Sequence, residues 1–141
     1  MTAYNADAFG AISAAQVFTP AMRAAGAGTF IGSGGYAWVD PHPGYATIAL
    51  GKAGVRTAVA LVHPELKADG VHAVSTRISG AIAPGTALDP DLITDTYWDQ
   101  YNRPSGEWTD EIVIAGEWAT GGRPDAPLRR ASHPHAIRSS H

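Results

Sequence analysis

Three side chains in this sequence are of types that together do acid–base chemistry: the Ser33 hydroxyl, the Tyr45 phenol and the Lys52 ammonium. A free tyrosine, with a pKa of about 10, is a poor acid–base group near neutrality. A neighbouring ammonium favours the phenolate and lowers that value. Tyr45 lies seven residues before Lys52 and Ile48 lies four before it. Both intervals are close to whole helical turns, so the three share one face of a helix. Each side chain also has a plainer reading. Ser33 is then a turn residue among glycines, Lys52 a solvated helix face, and Tyr45 a helix-start residue packed on a sheet. Tyr36 is a weaker candidate. His42 and His63 are expected at the surface, on a loop and a helix face.

The elements that must position these groups follow from local pattern. Thr29 to Ile31 is a β-branched and aromatic run, so Gly28 to Gly32 reads as a buried strand. Ser33, Gly34 and Gly35 then form a turn, and Pro41, Pro43 and Gly44 punctuate a loop. From Tyr45 to about Lys67 the apolar residues Ile48, Ala49, Ala53, Val55, Val59 and Val62 recur at helical spacing. Pro64 should bend this helix, and Gly70 should stop it. Val71 to Ile78 is a second strand. Strand, long helix and strand make one βαβ unit with parallel strands and a right-handed crossover.

Around that unit, residues 5 to 25 read as an amphipathic helix with Pro20 inside it and Asn5 or Asp7 as its N-cap. Ser79 to Pro90 is a glycine- and proline-rich loop at a strand's carboxyl end, the edge where open α/β sheets bind ligands. Asp91 to Asn102 reads as a helix, with Asp89 or Asp91 near its start. Its Tyr97, Trp98 and Tyr101 either cap an apolar pocket or pack on the sheet. Glu111 to Ala115 is a candidate last strand. The expected fold class is α/β: a small parallel sheet of about three strands flanked by helices.

Of the 141 residues 45% are hydrophobic and 16% charged, a globular balance. The net charge of −3 gives no attraction to nucleic acid or an anionic membrane. Without cysteine there is no disulfide, thiol catalysis or cysteine–zinc site. No run reaches the length of a membrane span, and the first ten residues lack a secretory pattern. A cytoplasmic protein is the expectation. Residues 116–141 are rich in Gly, Pro, Ser and Arg and read as a disordered tail, so His133, His135 and His141 read as solvated side chains rather than metal ligands.

The stretch from Gly28 to Arg56 resembles the catalytic segment of the short-chain dehydrogenase/reductase family. That family carries a Ser after the fifth strand of a Rossmann fold and a Tyr-x-x-x-Lys on the next helix. The flanking stretches FTPAMRAAGAGTFI and GKAGVRTAVALVHPELKADGVHAVSTRISGAI are similar to the family's neighbouring elements. The resemblance covers roughly residues 5 to 115, which makes 1–115 the carboxyl-terminal part of such a domain. Two features depart from the pattern. Ile48 holds the position four before Lys52, and no glycine-rich dinucleotide fingerprint is present. The resemblance thus implies a truncated form or fragment.

The resemblance further implies NAD- or NADP-dependent oxidation of an alcohol or reduction of a carbonyl. Tyr45 would give or take the proton, and Ser33 would hydrogen-bond the carbonyl oxygen. Lys52 would bind the nicotinamide ribose, Gly80 and the Ile82 backbone would meet the nicotinamide, and Asp7 or Asn5 would hold the place of the family's proton-relay asparagine. Residues 91–102 would be the family's mobile substrate-covering segment. Helices 5–25 and 45–67 would form a homo-oligomer interface. The alternative is a non-catalytic interaction protein that dimerises through those helices.

Overall fold

The computed structural model describes residues 2–116. Residues 117–141, with His133, His135 and His141, lie outside the described residues. Strand β1 (Gly28–Gly35), helix α3 (Ala46–Ala68) and strand β2 (Val71–Ser79) form the expected βαβ unit. The strands pair in parallel from Gly28↔Val71 to Gly35↔Ile78. Strand β3 (Glu111–Ala115) adds in parallel on the far side of β2, so the order is β1-β2-β3. Among the described residues, β1 pairs on one side only.

The core lies where α3 crosses the sheet. Val59 and Leu66 meet Val71 and Ala73, with Phe30, Met22 and Val62 against them. Burying side chains of this size stabilises by about 1.5–3 kcal/mol each. Gly32 lets the helix come this close: a Cβ there would lie 2.8 Å from Val59 and 2.9 Å from Val55. From Pro43 to Ala68 the chain is long and apolar enough to cross a membrane by length and composition. This corrects the expectation that no run reaches that length. One stripe of it, Ala49, Val55, Val59 and Leu66, is buried, while Ile48, Leu50 and Leu61 on the same helix are exposed.

Three boundaries differ from expectation. β1 runs through Ser33 to Gly35, because register with Thr76, Arg77 and Ile78 outweighs the weak strand preference of Ser-Gly-Gly. Tyr45 is not inside α3 but at its N-cap, after a 3₁₀ turn over Pro43–Tyr45. The first helix is composite. A short helix α1 (Thr2–Tyr4) and a π-helical segment (Asn5–Phe9) precede α2 (Gly10–Ala25), which continues through Pro20. Helix α4 (Pro90–Asn102) starts at Asp89, whose carboxylate accepts from Asp91 N at 2.9 Å.

Candidate functional site

An open cleft of about 620 Å³ lies at the carboxyl ends of β1 and β2. Ser33, Tyr45, Lys52, Gly80 and Ile82 all line it, together with Tyr36, Ile48 and Ile78. Four separate stretches thus bring every candidate site residue to one place. β1 supplies Ser33, the start of α3 supplies Tyr45, the helix interior supplies Lys52, and the loop after β2 supplies Gly80 and Ile82. Ile48, at the position four before Lys52, is 43% exposed and forms an apolar wall.

Lys52 is held at two points. Its Nζ donates to Asp7 Oδ1 at 2.9 Å and to the Ser33 backbone oxygen at 3.3 Å. An ammonium has three donors, so one remains for the cleft. The Lys52 and Asp7 side chains are only 25% and 23% exposed, so water screens the pair incompletely. Gly51 allows the pair to form: a Cβ there would lie 2.8 Å from Asp7 Oδ2. Asp7 is therefore not the helix cap expected of it but the counter-ion of Lys52, presented by the π segment.

Tyr45 is turned away from both groups. Its hydroxyl donates to the Asp40 carbonyl at 2.9 Å, and its ring lies 5.5 Å from that of His42. The structure gives it no hydrogen bond to Ser33 or Lys52 among the described residues. The phenol bonded to Ser33 is that of Tyr97, which donates to Ser33 Oγ at 3.0 Å. Tyr97 is also 2.9 Å from Thr76 Oγ1. Of the two alternatives left open for Tyr97, Trp98 and Tyr101, capping this cleft is not what the structure shows, for none of the three lines it. Trp98 and Tyr101 instead stack on each other at 5.2 Å, 63% and 59% exposed. No sequence signal marks the Tyr97 contact, since its partners lie 64 and 21 residues away.

The histidines sit elsewhere. His42 Nδ1 accepts from Gly44 N at 3.0 Å and is exposed, as expected. His63 is half-buried, with Nδ1 2.7 Å from the Ala73 carbonyl, which corrects its surface placement. Among the described residues no group of three His, Asp or Glu side chains could hold a metal ion.

No family model matches this sequence, and no curated protein matches it. Solved structures do. The chain superposes on a short-chain dehydrogenase from Rhodopseudomonas palustris with a TM-score of 0.70 and 23% identity, over 80% of this chain and 50% of that one. It superposes on a metagenomic short-chain oxidoreductase, solved in complex with NADP, with a TM-score of 0.61 and 20% identity, over 74% of this chain and 46% of that one. The chain has the Rossmann-like α/β fold of the short-chain dehydrogenases and spans about half the length of those two structures.

Proposed function

We propose that the cleft is the carbonyl end of a short-chain dehydrogenase/reductase-like site in a cytoplasmic oxidoreductase. It acts with NAD or NADP to reduce a carbonyl or oxidise an alcohol of a small molecule. One observation carries the reading: Ser33, Tyr45, Lys52, Gly80 and Ile82 line one cleft at the carboxyl edge of a parallel sheet. Ligands of open α/β sheets bind at that edge.

The donor set suits the nicotinamide riboside end of the cofactor. Lys52 keeps one donor that would serve ribose hydroxyls, the main chain at Gly80 and Ile82 would meet the carboxamide, and Ile48 and Ile78 offer an apolar wall. The described residues contain no glycine-rich turn for the pyrophosphate. When bound, the nicotinamide would supply or take the hydride. Ser33 holds the substrate oxygen, and Tyr45 gives or takes its proton after leaving Asp40 O. The test is a titration of the folded protein with NADH and NADPH, read by nicotinamide fluorescence. Saturable binding that Lys52→Ala weakens supports the reading. No binding of either nucleotide removes it for this chain.

A second reading is a non-catalytic interaction protein, and exposed apolar side chains on the helices favour it. Phe9, Val17, Phe18, Leu50 and Leu61 on the π segment, α2 and α3 are 56–73% exposed. Exposed apolar side chains, where they form a contiguous patch, mark contact surfaces. Self-association through α2 and α3 is also the homo-oligomer the first reading calls for. Light scattering decides it: a monomer at every concentration rules the interface out.

A further inference from the structure

The hydroxyl of Ser33 sits in a network with one consistent assignment of protons. Ser33 and Thr76 are register partners on neighbouring parallel strands. Their side chains therefore point to the same face of the sheet, about 4.8 Å apart along the hydrogen-bonding direction. The Tyr97 phenol bridges them, 3.0 Å from Ser33 Oγ and 2.9 Å from Thr76 Oγ1. Ile93 and Gln100, four residues before and three after Tyr97, are buried and fix α4 in place.

A phenol has one proton to give. If Tyr97 gave it to Thr76, the Thr76 proton would have no acceptor, because the structure gives that hydroxyl no other partner among the described residues. Thr76 is 1% exposed, so that proton could not turn to water. An unmet buried donor is costly. In the other arrangement Thr76 donates to Tyr97 and Tyr97 donates to Ser33, and the buried Thr76 proton is placed. Ser33, which faces solvent at the cleft, then keeps its own proton.

We infer that Tyr97 is a positioning residue for the cleft: by donating to Ser33 Oγ it leaves the serine proton free for a carbonyl oxygen bound there. The inference rests on the reading of the cleft as a carbonyl site and adds the residue that aims its donor. Accepting a bond from Tyr97 also polarises the serine and strengthens what it donates. Tyr97 acts only through Ser33, since it does not line the cleft.

The absence of cysteine makes a direct test possible. Ser33→Cys introduces the sole thiol, and its alkylation by iodoacetamide is followed against pH. A donor to the sulfur stabilises the thiolate. The midpoint of the alkylation curve should therefore rise by about one pH unit when Tyr97→Phe is added. Adding Tyr45→Phe instead should leave it in place. Equal midpoints with and without Tyr97→Phe, in proteins of matching circular dichroism, overturn the inference. If the double variant does not fold, NMR of the unaltered protein decides. A Tyr97 hydroxyl proton with a cross-peak to the Ser33 Hβ protons supports the inference, and its absence overturns it. Protection of the thiol by NADPH reports separately on the nucleotide. A midpoint shift without protection keeps the role of Tyr97 while removing the nicotinamide reading.

Discussion

The Lys52 ammonium and the Asp7 carboxylate stand 2.9 Å apart, although 45 residues separate them in the chain. The pair ties the π segment to the middle of α3. It also cancels the charge of the one ammonium in the cleft, so Lys52 meets a ligand as a hydrogen-bond donor more than as a cation. Neutral hydroxyls suit such a group better than phosphates do.

Asp7→Ala should free Lys52. The chain has only two lysines, so Lys67 serves as the internal reference for acetylation followed by mass spectrometry. Labelling of Lys52 relative to Lys67 should rise several-fold in Asp7→Ala. Gly51→Ala should act in the same direction, because its Cβ would strike Asp7. An unchanged ratio in both variants would show that the pair does not hold in solution.

The phenol that serves as the acid can be tested by moving it. If Tyr45 is that group, Tyr45→Phe should lower carbonyl reduction about 10²-fold or more. Adding Ile48→Tyr places a phenol one helical turn before Lys52, on the wall of the cleft, and should recover part of the loss. Turnover by Tyr45→Phe equal to that of the unaltered protein excludes Tyr45.

Leu66 is 3% exposed and belongs to the cluster that holds α3 on β2. Leu66→Ala should cost about 3 kcal/mol in urea unfolding. A loss below about 1 kcal/mol would mean that the helix end collapses onto the vacated space or is loosely packed.

His72 sets a pH dependence. It is fully buried, with Nδ1 3.1 Å from Gln100 O, Nε2 3.3 Å from Thr109 O, and its ring stacked on Trp108 at 4.9 Å. Burial holds its pKa below the ordinary 6.5, against the pull of the two carbonyls. The unfolded chain therefore binds the proton more readily than the native one. Stability from this group is complete above pH 6.5 and is lost as pH falls below it. Urea unfolding at stepped pH should show that decline, and His72→Gln should flatten it. An equal slope in the variant assigns the decline to other groups.

The βαβ unit was legible because its signals are local. The β-branched runs of β1 and β2, and the helical recurrence of Ala49, Val55 and Val59, each specify an element without help from afar. Ser33, Tyr45 and Lys52 could be picked out from the same stretch, whereas Gly80 and Ile82 came only from the family resemblance. What was not legible depends on distant partners. Nothing within Ser33-Gly34-Gly35 says strand; Thr76, Arg77 and Ile78 say it. Asp7 reads as a cap until α3 brings an ammonium beside it. Tyr97 reads as one aromatic among three until α4 lies across the sheet and sets its phenol between two hydroxyls. Tyr45 fits the helical period of α3, yet the turn begun at Pro43 leaves it at the threshold of the helix.

Among the described residues, strand β1 exchanges ladder hydrogen bonds with β2 alone. In a parallel strand successive amides point alternately to the two sides. Half of the β1 amides thus face away from β2. Deuterium uptake along Gly28–Gly35 should form a comb, one slow amide beside one fast, in the very strand that carries Ser33. A chain that annealed to this edge would slow the fast teeth and leave the others as they were. The isotope pattern of eight residues is therefore a built-in gauge of whether the sheet ends at β1 in solution.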